Sequence, residues 1–266
     1  DICGRSLHPR KTVRDLVGVG LKLHGLATGY EIDERVLEEA ETGQAAGWFS
    51  AIVEAKIRKP GPGDLGRISR AESIGEMMEI PLFPLDTVLF PGTPVNLDVF
   101  EPRYKSLIGQ CLEHDEPFGV ALIRSGRAAL GPLPEPHVIG CTARIVDAQP
   151  VAGGRMDVTA VGVDRFRIAA LRRDRGLPYL VGEIETFPLA VGDPDAVAAS
   201  EARLRSWVER YLRVLVRASE GDFTFRVEQL PADPAALGFL AASILPIPAR
   251  QKQPILALPS LVDLLA

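Results

Sequence analysis

The sequence predicts an α+β protein in which an antiparallel β-barrel of about six strands is followed by a helical bundle and preceded by a segment that we assign to no fold. Between residues 79 and 188, apolar and polar side chains alternate with the period of half-buried strands, and turns containing Gly or Pro separate the runs. After residue 190, two Asp-Pro pairs each precede a stretch with helical spacing. Short strands joined by such turns favour a closed or nearly closed barrel.

The barrel region opens with two apolar runs, at residues 80–85 and 88–90, which prolines interrupt. Proline lacks the N–H that an internal strand donates, so these runs suit strand edges and bends. Pro91 and Gly92 fit the central positions of a type II turn, in which glycine supplies the positive φ. Residues 94–100 then alternate as a half-buried strand.

A first helix is predicted to begin at Pro102, because the first turn of a helix does not need the N–H that proline lacks. Tyr104, Leu107 and Cys111 follow at helical spacing and belong to one apolar stripe. The side chains that we expect in the core of this region are Leu82, Phe90, Leu97, Phe100, Leu107 and Ile108.

Five further runs complete the predicted set of about six strands. They lie at residues 118–124, 139–145, 156–163, 166–171 and 179–185. The third run pairs back across a turn at Gly153 and Gly154, which is a hairpin signal.

The helical region begins twice with the same signal, an aspartate at the N-cap and a proline at the first helical position. The signal predicts helices at about residues 194–218 and 233–245. Two shorter helices are expected at residues 251–258 and 260–266.

Three motifs near the start of the predicted barrel carry a family resemblance. They are Leu-Phe-Pro-Leu at residues 82–85, Val-Leu-Phe-Pro-Gly at 88–92 and Val-Phe-Glu-Pro-Arg-Tyr at 99–104. In this order and spacing they resemble the LON domain, the N-terminal substrate-binding domain of Lon-type ATP-dependent proteases, which also occurs alone in small bacterial proteins. The resemblance implies a PUA-like barrel followed by helices, and a role in recruiting polypeptide.

The resemblance and the composition together divide the chain. Residues 1–58 form an unassigned N-terminal segment with two predicted helices, at 33–41 and 48–57. Residues 59–76 are a predicted linker, because prolines and glycines at its start break helix and strand alike. A LON-like barrel at 77–190 and a helical subdomain at 191–266 follow. Residues 1–76 are either a fused segment or upstream sequence translated from an earlier start.

Composition limits the partners and the compartment. The chain has 266 residues and a net charge of −5, with acidic and basic residues interspersed, so nucleic acid and anionic membrane surfaces are disfavoured. Its three cysteines are scattered without a CxxC pair, which favours a reducing cytoplasm over a disulfide framework or a zinc site. No apolar run approaches the roughly 20 residues that span a bilayer.

Motifs of catalysis are absent from the sequence. It contains no GxxxxGK[ST] phosphate loop, no GxSxG elbow and no HExxH pair, and we expect no enzymatic activity, cofactor or metal. The favoured hypothesis is a noncatalytic module that binds unfolded or tagged polypeptide, with a protease or chaperone as a further partner, through apolar surface between the barrel and the helices. The alternatives are the N-terminal fragment of an ATP-dependent Lon serine protease and a PUA-like RNA-binding protein. The sequence leaves the oligomeric state open.

Four charged residues are candidates for contact with a peptide or partner. Glu101 and Arg103 flank the start of the first predicted helix. The alternative interpretation is that both lie at a solvated helix end, where the helix dipole favours the charge of Glu101. Arg165 and Arg167 alternate with apolar residues. The alternative interpretation is that both simply lie on the outer face of a half-buried strand. Cys141 is expected to be a buried small hydrophobe.

Overall fold

The computed structural model describes residues 77–128, 131–173, 176–218 and 230–266. The helices predicted at 33–41 and 48–57 and the linker predicted at 59–76 lie outside these residues. The division of the chain at residue 190 stays a prediction.

Seven strands and five α-helices are found in the described residues, with a short 3-10 helix at Ala152–Gly154. The strands are β1 Met78–Leu85, β2 Pro94–Val99, β3 Phe118–Ser125, β4 Glu135–Pro136, β5 Ile139–Val151, β6 Arg155–Arg172 and β7 Leu180–Thr186. The helices are α1 Pro102–His114, α2 Pro194–Ala218, α3 Pro234–Ile244, α4 Ala249–Leu256 and α5 Leu261–Leu265.

The strands form a closed ring in the order β1-β7-β6-β5-β3, which returns to β1, while β2 joins β6 and β4 joins β3. This confirms the predicted α+β fold with a mainly antiparallel sheet. One pairing differs, because β1 and β3 are parallel, with Leu82 opposite Gly119. A parallel pair needs a long crossover connection, and β2 and α1 together provide it here.

β6 is one strand of 18 residues where the sequence predicted two. The predicted break falls at Asp164, where the ladder between β5 and β6 changes register. The Thr142 hydroxyl bridges this irregularity: it accepts a hydrogen bond from the backbone N–H of Asp164 at 3.0 Å and donates to its carbonyl at 3.2 Å. A side chain thus replaces the missing ladder bonds and keeps the strand continuous.

The turn before β2 has the predicted form. The N–H of Thr93 donates to the carbonyl of Phe90 at 3.1 Å, and Gly92 has a φ of 73°. The N–H of Gly92 also donates to Gly162 of β6 at 2.8 Å, so the turn is fixed to the barrel wall.

α1 begins at Pro102 as predicted and packs its apolar stripe onto the barrel. Five of the six predicted core residues are buried, which confirms most of that prediction. Phe100 is the exception, since 44% of it is exposed. Val95, Leu97 and Val99 point into the core, and the alternation of the strand therefore turns the next residue away from it.

The C-terminal helices begin at the predicted aspartates. Asp193 accepts a hydrogen bond from the N–H of Ala196 at 3.0 Å, and Asp233 accepts one from the N–H of Ala236 at 2.8 Å. None of the helices in the described part of the chain is both long and apolar enough to cross a membrane.

The barrel and the helices share one apolar cluster. Its barrel members include Val88, Phe90, Leu122 and Ile139, and its helical members include Phe239, Ala242, Leu256 and Leu264. The rings of Phe90 and Phe239 lie 6.2 Å apart between centroids. The C-terminal helices therefore pack directly on the barrel wall at this cluster.

Candidate functional site

Arg165 joins the barrel to α4 from a buried position. It is 5% exposed, and its Nη1 donates to the carbonyls of Leu256 and Leu258, each at 2.7 Å. The guanidinium lies 4.7 Å from the ring centroid of Phe187 and 5.7 Å from that of Phe239. Burial lowers the pKa of this guanidinium. The expectation that Arg165 lies on the outer face of its strand is wrong, because these carbonyls and rings enclose it.

Arg167 lies two residues further along β6 and remains on the surface. Its side chain is half exposed, with Nε 3.7 Å from a carboxylate oxygen of Glu185. The guanidinium also lies 4.8 Å from the centroid of Phe187. A contact between Arg167 and a peptide stays a prediction.

Glu101 and Arg103 form an ion pair of 2.7 Å at the start of α1, and both side chains are mostly buried. Nη1 of Arg103 donates to the carbonyl of Gly131 at 2.9 Å, which ties the helix start to the loop before β4. The expected solvated helix end is therefore wrong. Their role in binding a peptide is untested, and their contacts lie at α1, whereas those of Arg165 lie at α4.

A shallow groove lies between the barrel and α4, with a volume of about 250 Å³. The residues that line it are His137, Val138 and Ile139 on the barrel side and Arg250, Gln253, Pro254 and Ala257 on the helical side. Arg250, Gln253 and Pro254 lie on one face of α4, and Ala257 caps the C-terminal end of that helix. Val138 is 57% exposed and lies on the opposite wall. We call this the α4 groove.

Gln253 of the α4 groove is held by a hydrogen bond to the barrel wall. It is 6% exposed, and its Nε2 donates to the carbonyl of Ile139 at 3.0 Å. Its Oε1 is buried and has no hydrogen-bond partner among the described residues. This oxygen is closed to solvent, so it lies beneath the open surface of the groove.

Two arginines, Arg124 and Arg250, act electrostatically on His137 of the α4 groove. Arg124 pairs with Glu135 on the barrel side, and Arg250 lies exposed on α4. Burial, and then the nearby charges of Arg124 and Arg250, lower the pKa of His137 below its ordinary value of 6.5. His137 is thereby favoured as a neutral imidazole near neutral pH.

Sequence reasoning placed the binding surface between the barrel and the helices but did not identify its residues. It gave His137, Val138 and Gln253 no role in binding. The helical spacing of residues 250–257 was visible, yet nothing local shows that this face meets residues 137–139, more than 110 positions earlier. Cys141 is buried as predicted, and burial raises the pKa of its thiol. The described residues contain no group of three or more His, Cys, Asp or Glu side chains placed to hold a metal.

The closed barrel and the helices packed on it define the fold class, a mainly antiparallel barrel covered by helices. The family model of the ATP-dependent protease La (LON) substrate-binding domain matches residues 79–266. The chain belongs to this family.

Curated relatives and solved structures agree with this assignment. The chain is 25% identical over 195 residues to the Lon protease of Syntrophus aciditrophicus (strain SB), covering 71% of this chain and 24% of that protein. It is 34% identical over 126 residues to Lon protease 4 of Sorangium cellulosum (strain So ce56), covering 47% of this chain and 15% of that protein. The chain thus spans about a quarter or less of the length of these relatives.

Two solved structures share the fold. A Lon N-terminal domain protein from Xanthomonas campestris superposes with a TM-score of 0.52 at 28% identity, covering 71% of this chain and 95% of that one. The N-terminal domain of a Mycobacterium avium complex Lon protease superposes with a TM-score of 0.55 at 19% identity, covering 71% and 94%. The second likeness concerns the fold alone.

Proposed function

We propose that this protein is a noncatalytic module that binds unfolded polypeptide in the α4 groove and presents it to a protease or chaperone partner. The family is described as a substrate-binding domain, and the matched relatives are proteases. Its absence of enzymatic activity and its cytoplasmic location stay predictions from the sequence.

The observation that carries the proposal is the composition of the α4 groove. Val138, Ile139, Pro254 and Ala257 give it apolar walls. Apolar contact of this kind suits short segments of polypeptide of many sequences.

The dimensions of the α4 groove favour a short stretch of chain. The seven-residue interval from Arg250 to Ala257 corresponds to about 10 Å along a helix. An extended peptide rises about 3.3 Å per residue, so about three residues span the groove. We expect weak binding of one segment, with a dissociation constant on the order of micromolar.

A titration of a labelled, permanently unfolded protein tests the proposal. Val138→Asp places a charge on the apolar wall, and we expect it to weaken binding about tenfold, since an unpaired charge must then be desolvated. Val191→Asp is the matched control, because Val191 is an exposed valine between β7 and α2 that does not line the groove. Equal affinities of the two variants would place the binding surface elsewhere.

The RNA-binding alternative makes the opposite prediction about salt. Binding through apolar walls should change little between low and high salt, whereas binding to RNA phosphates should weaken steeply as counterions compete. Tight, salt-sensitive binding of structured RNA without affinity for unfolded protein would contradict the proposal. The remaining alternative, an N-terminal part of a longer Lon-type protease, would use the same groove within a longer polypeptide.

A further inference from the structure

We infer that the α4 groove binds polypeptide through a main-chain hydrogen bond in addition to apolar contact, and that its acceptor is the backbone carbonyl of Arg250, which Pro254 leaves without a helical donor. This inference rests on the proposed function and names the atom of the groove that recognises a peptide group.

Pro254 lies inside α4. In an uninterrupted helix, the N–H of residue 254 donates to the carbonyl of residue 250. Proline has no N–H, so the carbonyl of Arg250 lacks this donor. The first turn of the helix is nevertheless formed, since the N–H of Lys252 donates to the carbonyl of Pro248 at 3.2 Å. α4 therefore keeps its helical form while one carbonyl is without the donor that the helix would normally supply.

This carbonyl lies on the side of α4 that faces the groove. Arg250 and Pro254 both line the groove, and both residues are exposed. A helical carbonyl points along the axis towards the residue four positions later, so its oxygen lies between these two residues. Carbonyls on the solvent side of a helix also tilt outward. A ligand can therefore reach this acceptor, whereas Oε1 of Gln253 is closed to solvent.

A peptide N–H is the donor that suits this position. The groove walls at Val138 and Ile139 are apolar and take the side chains of a bound segment. The carbonyl takes its backbone, and every residue except proline carries the same N–H. The hydrogen bond would thus select for a secondary amide at one position of the ligand without selecting a side chain. An N–H that replaces water at an exposed acceptor adds modestly to affinity, about fivefold.

Pro254→Val tests the inference on the full 266-residue chain. Valine keeps an apolar side chain on the groove wall and supplies the missing N–H, which then occupies the carbonyl of Arg250 within the helix. The ligands are the tetramethylrhodamine-labelled peptide Gly-Ser-Gly-Ala-Val-Leu amide and three analogues, each N-methylated at one of the last three residues. Pro188→Val is the matched control, because Pro188 is an exposed proline that does not line the groove.

We expect one of the three methylations to weaken binding to the unaltered protein and to Pro188→Val about fivefold more than the other two do. Pro254→Val should bind the unmethylated peptide about fivefold more weakly and should lose this dependence on the position of the methyl group. Its urea midpoint should not fall, since the substitution adds a helical hydrogen bond.

The outcomes separate this inference from the proposed function. Unchanged affinity of Pro254→Val, or the same methylation losses in both proteins, would overturn the main-chain inference alone if binding stays sensitive to Val138→Asp. A lower urea midpoint with equal losses for all four peptides would overturn it in favour of a structural role for Pro254. Failure of every peptide and of unfolded protein to bind would overturn the proposed function as well.

Discussion

The two covered faces of the barrel differ in how their interiors are built. Under α1 the packing is apolar: the ring of Phe83 stacks on Tyr104 with centroids 4.1 Å apart, and Leu107 and Ile108 are fully buried. Under the C-terminal helices the cluster is apolar too, but Arg165 and Gln253 are buried beside it and hydrogen-bonded across the interface. Only the second interface borders the α4 groove.

Under the proposed function, the α4 side of the barrel serves binding as well as stability, whereas the α1 side serves stability. Under α1, stacked rings and aliphatic side chains dominate, and a part-buried hydrogen bond from the hydroxyl of Tyr179 to Oε1 of Gln110 joins this helix to the barrel. Hydrogen bonds from Arg165 and Gln253 have direction, so they hold α4 at a fixed distance from the barrel wall. That fixed separation leaves the groove open beside a packed core.

Replacing Phe118 should have the largest effect, because it is fully buried in the cluster under α1. We expect Phe118→Ala to reduce the free energy of unfolding by about 3–5 kcal/mol, from lost transfer energy and the cavity left behind. Urea unfolding followed by circular dichroism measures the change. A loss below about 1 kcal/mol would mean that this face does not provide the stability that we assign to it.

Arg165→Met should have the next largest effect, about 2 kcal/mol, because it removes the donor that two carbonyls of the α4 end share. Arg167→Met is the matched control on the same strand and should cost under about 0.5 kcal/mol, since its ion pair is half exposed. Unfolding in urea compares the two variants. Equal losses would show that Arg165 does not join the two parts of the fold.

Phe100→Ala should cost only about 1 kcal/mol, because nearly half of this side chain is already exposed. The same unfolding measurement tests it beside Phe118→Ala. A loss of about 3 kcal/mol or more would contradict the exposure of Phe100 and would mean that it is buried in the core, as we expected from the sequence.

Acidification should have the smallest effect, through His137. Its folded-state pKa is lowered, so the unfolded chain holds the imidazole proton more tightly. Stability from this group is therefore present above the ordinary pKa of 6.5 and declines as pH falls below it. We expect His137→Gln to lose less stability than the unaltered protein between about pH 7.5 and about pH 5.5. Parallel declines in both proteins would contradict this.

Local signals in the sequence predicted most of the elements. The Asp-Pro starts of α2 and α3 and the Pro91-Gly92 turn depend on neighbours within four residues, and all are found. The burial of Arg165 depends on carbonyls 91 and 93 positions away, and no local pattern encodes it.

The candidate site was less predictable for the same reason. The α4 groove exists because Gln253 reaches Ile139, 114 positions earlier, across the packed interface. Phe100 was mispredicted for a different reason. Its apolar character suggested the core, but the alternation of side chains along β2 directs it outward. The alternation was therefore the better guide.

The central claim is that polypeptide binds at the α4 groove and not at the α1 face. Backbone amide shifts of the ¹⁵N-labelled full chain, recorded during titration with unfolded polypeptide, test it most directly. The account predicts the largest changes at residues 137–139 and 250–257. Changes centred on α1, with its exposed Leu112 and the preceding Phe100, and no changes at residues 250–257, would contradict it.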